Sequence, residues 1–227
     1  MSTNILDEAR LYLVNSLNGK QNGVESRHPW RRGWEFAVLH SLRVESYSLK
    51  ILAREPHHLS EYEILLLRLA AILHDIGKLD RREDHAQLGA EITETWLRGY
   101  PGSPLENKDI ERVVELIATH SNKEVREYDY SKAVLKDADT LDEIGAMSIL
   151  MAGNWIDIHS PFFFHHLQQR LVDFELPYCD RKLGMLNTNG AREILREKKA
   201  FVENFIDQIT GELQMDAHIE KMLRALS

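Results

Sequence analysis

Apolar residues recur along this chain at the three- and four-residue spacing of amphipathic helices, and the alternation expected of strands is scarce. Residues 3–17 place Ile5, Leu6, Ala9, Leu13 and Leu17 on one face. The polar stretch Asn18 to Ser26 reads as a loop. Trp34 to Ala53 then repeats the pattern with Ala37, Val38, Ser41, Val44, Ser48, Ile51 and Leu52. It ends ahead of Pro56, because the residue before a proline disfavours helix. Ser60 with Glu63 forms a capping-box pair, in which two side chains satisfy two free backbone donors at a helix start. The run Ile64 to Leu73 behind it is apolar on nearly all sides, which predicts a central, buried helix. Gly77 is expected to end that helix as a left-handed cap.

A further helix is expected from Asp84, with Leu88, Ile92 and Trp96 on one face, broken by Gly99-Tyr100-Pro101-Gly102. Ser103-Pro104-Leu105-Glu106 reads as a second capping box with proline at the first helical position. The helix it opens carries Ile110, Val113 and Ile117 and closes on His120. Residues 131–152 read as one helix with Asp139 in its middle. Residues 154–187 are mixed, and Phe162-Phe163-Phe164-His165-His166 opens a short helix there. A long helix is expected from Ala191 to about Ile209, and another over Asp216 to Leu226. The pattern as a whole predicts an all-α chain of about eight helices with no clear domain boundary.

Composition narrows the class of protein. A chain of 227 residues buries roughly 70% of its unfolded surface, enough for one sizeable core. The formal charge of −8 argues against a nucleic-acid surface. A lone cysteine, Cys179, excludes an internal disulfide and fits a reducing compartment. No apolar run approaches the roughly 18 residues of a membrane span, and no signal segment opens the chain, so a cytoplasmic protein is expected.

The chemistry centres on Leu73-His74-Asp75-Ile76-Gly77-Lys78, where a histidine and an aspartate end the buried helix. His40 lies mid-helix, His85 opens a helix, His120 closes one, and Asp139 lies within another. Imidazole and carboxylate together suit Mn, Fe or Zn, and Mg where oxygen dominates. A buried Asp139 needs a partner, either a metal ion or a structural arginine or lysine.

His40, the His74-Asp75 dipeptide and Asp139 within Asp137-Ala138-Asp139-Thr140-Leu141-Asp142 resemble the H…HD…D pattern of the HD-domain metal-dependent phosphohydrolase superfamily. The likeness extends to His40-Ser41-Leu42-Arg43-Val44, to His85-Ala86-Gln87-Leu88-Gly89-Ala90, to Ile117-Ala118-Thr119-His120-Ser121 and to Leu141-Asp142-Glu143-Ile144-Gly145-Ala146, as in uncharacterised bacterial members. It covers about residues 27–150, with a fainter echo over Arg181 to Phe205. It implies a single HD-type domain over 1–227. A metal-binding core of about five to six helices would span about 27–150, with extra N- and C-terminal helices and an extension over about 154–227.

The resemblance further implies that His40, His74, Asp75 and Asp139 bind a divalent metal. It makes His85 and His120 candidates for a second ion, the other roles open to them being outer hydrogen bonding or contact with a substrate phosphate. Mn, Fe, Mg, Zn and Ni are not told apart. Lys78 is expected at the phosphate, and Asp75 both ligates and orients the attacking water. Asp142 is expected to support a ligand or to contact substrate, and Arg31, Arg32 and Arg43 to clamp phosphate oxygens. The implied function is hydrolysis of a phosphomonoester or phosphodiester, with a nucleotide or similar small phosphorylated molecule as substrate; a homodimer is an open option. The alternatives are an HD-type di-iron oxygenase and a non-catalytic ligand-sensing domain.

Two subfamilies fit less well. Alarmone hydrolases follow His-Asp with a Glu-Asp pair, absent here. Cyclic-dinucleotide phosphodiesterases place Gly-Tyr-Pro after a paired histidine, whereas Gly99-Tyr100-Pro101 precedes His120.

Overall fold

Backbone donors and acceptors are satisfied within helices. Among the described residues strand pairing is confined to one isolated bridge, Gln21 with Gly33. The computed structural model describes residues 5–21, 28–56, 59–123 and 126–214, together with Ile219, Met222 and Leu223. The helix expected over Asp216 to Leu226 and the end of the Asn18 to Ser26 loop therefore fall largely outside the described residues. Among the described residues no helix is long and apolar enough to cross a membrane.

The chain divides into two compact units. Residues 1–142 with 185–192 form the first, and residues 143–184 with 193–227 the second. In the first unit α1 (Ile5–Leu17) and a 3-10 turn (Pro29–Arg31) precede α2 (Trp34–Leu52), α3 (Glu61–Leu73), α4 (His85–Gly99), α5 (Asn107–Thr119) and α6 (Tyr130–Leu141). Helix α3 packs against α1, α2, α5 and α6, which is why its sequence is apolar all round. Leu67, Leu69, Ala70, Ala71, Ile72 and Leu73 are fully excluded from water. The Ser60 hydroxyl and the Glu63 carboxylate cap its start reciprocally.

Three sequence expectations are corrected. Gly77 does not adopt the left-handed conformation; the chain turns through successive short bonds, Ile76 N–H to Leu73 O and Lys78 N–H to Asp75 O. Helix α5 starts at Asn107, because the Asp109 carboxylate reaches back to the Glu106 amide at 2.8 Å; Ser103 instead accepts from the Leu105 amide. The helix expected over 131–152 is two, α6 and α7 (Ala146–Gly153). Between them Glu143 and Gly145 take positive φ values of 63° and 90°, conformations that end a right-handed helix.

In the second unit α7, α8 (Phe163–Arg170), a π-helical turn (Leu171–Glu175), α9 (Leu176–Met185) and most of α10 (Asn189–Glu212) assemble. Their core holds Ile149, Ala152, Leu167, Leu171, Val202 and Ile206. Of the aromatic cluster, Phe163 packs against that core and Phe164 is exposed.

Candidate metal centre

Six side chains from five helices of the first unit converge. His40 comes from the middle of α2, His74 and Asp75 from the end of α3, and His85 from the start of α4. His120 caps the end of α5, and Asp139 stands on the last turn of α6. Helix ends favour this convergence, because a helix terminus can approach a point that a helix flank would overrun. Pairwise packing of α2 with α3 and α6, and of α5 with α3 and α4, brings the ends together.

Asp75 sits at the centre and is almost fully buried. Its Oδ2 lies 3.2 Å from His40 Nε2 and 3.5 Å from His74 Nε2. Its Oδ1 lies 3.5 Å from His85 Nε2 and 3.6 Å from His120 Nε2. Asp139 Oδ1 closes the first group, 3.2 Å from His40 Nε2 and 3.9 Å from His74 Nε2. One carboxylate thus faces two different histidine pairs through two different oxygens.

Each histidine is held by its other ring nitrogen. Nδ1 of His74, His85 and His120 meets the backbone oxygen three residues earlier, of Ala71, Arg82 and Ile117, at 2.8, 2.8 and 2.7 Å. A carbonyl only accepts, so each Nδ1 carries the proton and each Nε2 presents a lone pair toward Asp75. A bond from the far ring nitrogen to a carbonyl fixes the tautomer and the direction of a metal-binding imidazole. For His40 the holder is Asp142, whose Oδ2 is 2.7 Å from Nδ1. Arg43 grips the same carboxylate with two bonds, Nε to Oδ1 at 2.7 Å and a terminal nitrogen to Oδ2 at 2.9 Å.

The two buried carboxylates stay ionised. Burial would raise the Asp75 carboxyl, but the charge of Lys78 and the hydrogen bond from His40 hold it well below the usual range. Asp139 behaves alike: burial opposes ionisation, and Lys123 and His40 outweigh it. Burial lowers His40, yet hydrogen bonds to Asp139, Asp142 and Asp75 raise it well above an ordinary histidine. Burial dominates at His74, which falls to about 3. Asp142, opposed by burial but bonded to His40 and Arg43, is held down to about 2. Among the described residues no hydrogen-bond donor meets the buried Asp75 Oδ1. An orphaned carboxylate oxygen facing two imidazole lone pairs fits a metal ion, which would satisfy all three acceptors at once. The three clusters His40–His74–Asp75, His74–His120–Asp139 and Asp75–His85–His120 each keep their ligand atoms within 4.8 Å of one another.

The remaining site residues divide. The Lys78 ammonium binds Asp75 Oδ2. Arg43 holds the Asp142 carboxylate and Asp142 holds His40, so their described bonds support a ligand. Arg32 lies exposed just after the turn Pro29–Arg31, ahead of α2, and Arg31 lies over the Phe36 ring. Sequence reading missed Lys123, whose ammonium binds Asp139 Oδ2. Its one signal is spacing: it follows His120 by three residues, as Lys78 follows Asp75.

Gly77 serves the site through size. A Cβ there would lie 2.8 Å from both the Gly89 amide nitrogen and the His85 carbonyl oxygen. A Cβ on Gly89 would lie 3.1 Å from the His74 carbonyl oxygen. The two glycines let the first turns of α4 rest on the backbone that carries His74 and Asp75. Gly77→Ala is therefore expected to lower stability by about 2 kcal/mol, because the opposing atoms are backbone and have no rotamer to yield. A denaturant midpoint equal to that of the unaltered protein would refute this account.

Residues 38–144 match the HD domain family model. No curated protein matches the chain. Among solved structures, a predicted HD superfamily hydrolase from an uncultured Thermotogales bacterium is 20% identical, with a TM-score of 0.61 over 91% of this chain and 92% of that one. An HD-superfamily hydrolase from Bacillus thuringiensis is 19% identical, with a TM-score of 0.61 over 92% and 97%. Bacillus subtilis YpgQ in complex with ADP is 21% identical, with a TM-score of 0.56 over 92% and 97%. These likenesses speak for the fold, and the family model for its helical core. The HD domain accordingly accounts for residues 38–144 of the chain.

Proposed function

We propose that this protein is a metal-dependent phosphohydrolase acting on a nucleotide or a similar small phosphorylated molecule. The observation that carries the reading is Asp75, with each carboxylate oxygen set against a different pair of histidine Nε2 atoms. His40, His74, Asp75 and Asp139 would hold one divalent ion, and His85 and His120 together with Asp75 would hold a second. A divalent ion bound there lowers the pKa of water toward neutrality and polarises a phosphoryl oxygen.

The protein's own groups do the rest. Asp75 ligates and orients the attacking water. Lys78, partly exposed beside Asp75, meets the phosphate as a point charge. Arg32, exposed ahead of α2, reaches substrate. Arg43 and Asp142 keep the His40 ring turned so that Nε2 faces inward. The nucleotide class draws support from the complex of YpgQ with ADP, a protein of the same fold.

The test is a metal-stripped preparation reloaded with Mn, Fe, Mg, Zn or Ni in turn and offered a nucleotide panel. Metal-dependent release of inorganic phosphate is expected. Two irons per chain with oxygen uptake and no phosphate release would replace the hydrolase by an oxygenase. His85→Ala or His120→Ala is expected to lower the bound metal from two ions per chain toward one, measured by elemental analysis. Unchanged stoichiometry would remove the second ion from the proposal.

A further inference from the structure

Two lysines lie on this centre, and only one belongs to the His-Asp motif. Lys123 leaves the end of α5 three residues after His120 and places its ammonium on Asp139 Oδ2. The other oxygen of Asp139 faces His40 and His74. Lys78 does the same at Asp75 Oδ2. The carboxylates are buried, at 1% and 12% side-chain exposure, while the lysines are 42% and 27% exposed. Each lysine thus spans from a buried ligand carboxylate to a partly exposed side chain.

Charge counting says what such a pair is for. Asp75 and Asp139 carry two negative charges and Lys78 and Lys123 two positive ones. Asp142 is already matched by Arg43. With the imidazoles neutral, as ligands of a bound ion are, these charges cancel. One divalent ion leaves an excess of two positive charges, and two leave four. A neutral ligand set needs no second lysine to hold a cation; the second lysine raises the positive excess that an incoming anion must match. A phosphodiester brings a single negative charge, whereas the terminal phosphate of a monoester brings about two above its second pKa near 6. Beside the buried carboxylates of Asp75 and Asp139 that extra charge is worth more than it would be in bulk.

We propose that Lys123 is a substrate-binding residue that, with Lys78, brackets the terminal phosphoryl group and makes the site select phosphomonoesters over phosphodiesters. This rests on the phosphohydrolase reading and narrows its substrate. The competing role for Lys123 is neutralisation of Asp139 alone, which would act on the metal and not on the anion.

The experiment titrates inorganic phosphate into manganese-loaded protein by calorimetry, for the unaltered chain and for K123Q, K123M and K123R, with metal content measured on each sample. Loss of one charge-assisted contact is expected to weaken phosphate binding about tenfold or more in K123Q and K123M at equal metal content. K123R is expected to restore much of it. In parallel, kcat/KM for p-nitrophenyl phosphate is expected to fall mainly through KM, while that for bis(p-nitrophenyl) phosphate falls less. Phosphate affinity unchanged in both neutral variants overturns the proposal even if hydrolysis is present. So does lowered metal content with unchanged phosphate affinity per loaded site, or an equal loss on both esters. Phosphate binding that depends on Lys123 without any turnover would uphold the anion site and remove the hydrolase. Use of two neutral variants keeps the result decisive if one fails to fold.

Discussion

Asp75→Asn is expected to strip the protein of metal and of hydrolytic activity together. The substitution keeps the shape of the side chain and removes both its charge and one of its two acceptor oxygens. Each oxygen of Asp75 faces its own histidine pair, so no other residue can take over for either group. Altering a group that merely orients a metal ligand commonly costs ten- to a hundredfold in affinity or activity. A ligand shared by both ions should cost more than about a hundredfold in each. Elemental analysis reads the first loss and phosphate release the second. A third reading is thermal. A ligand at about one hundred times its dissociation constant stabilises the native state by about 2.7 kcal/mol. Manganese should therefore raise the melting midpoint of the unaltered protein by several degrees and leave that of Asp75→Asn in place. An asparagine variant that keeps its metal and turns over at the original rate would end the proposed mechanism.

Why Asp75 could be singled out from sequence, and Lys123 could not, is a matter of range. Helices announce themselves locally: the apolar spacing of α2 and the all-round apolar run of α3 reflect which faces each helix buries. His74-Asp75 ends such a run, and its neighbourhood is visible within a few residues. The approach of His85 and His120 depends on α4 packing along α5, which no local pattern encodes, so their placement waited on tertiary structure. The same holds for the errors. Residues 131–152 keep helical apolar spacing straight through Asp142. What ends α6 there is the backbone at Glu143 and Gly145, which takes positive φ, while Asp142 turns its carboxylate to His40 and Arg43, about a hundred residues away in sequence. Gly77 has the position of a left-handed cap, but its requirement is the closeness of Gly89 and His85, a contact between segments. Lys123 carries no motif at all, and only the folded position of Asp139 gives it a partner.

Asp137→Ala is expected to cost about 3 kcal/mol of stability while leaving metal content per folded chain unchanged. Asp137 and Asp139 stand two residues apart on α6 and have opposite assignments. Asp139 turns to the histidines, whereas Asp137, 1% exposed, turns to the segment that starts α10. Its carboxylate accepts from the Asn187 amide at 2.9 Å, the Asn187 side chain at 2.9 Å, the Thr188 amide at 2.7 Å and the Thr188 hydroxyl at 2.8 Å. The Thr188 hydroxyl in turn accepts from the Ala191 amide in the first turn of α10. Burial outweighs these donors and pushes the Asp137 carboxyl up, so its charge as such is a poor source of stability. The cost of removing it lies in the donors left behind. Each buried group stripped of its partner costs about 1–3 kcal/mol, and water entering beside the half-exposed Asn187 recovers part of that. In a chain of this size about 3 kcal/mol lowers the melting midpoint by roughly 6–12 °C. A smaller shift, under about 2 °C, would mean that the start of α10 is held by Glu55 instead, whose carboxylate accepts from the Gly190 amide at 2.6 Å and from the Tyr130 hydroxyl at 2.7 Å. The double variant with Glu55→Ala separates the two: strict additivity would make them independent clamps, and a combined loss beyond the sum would make them a single cap shared between α6 and the turn that follows α2.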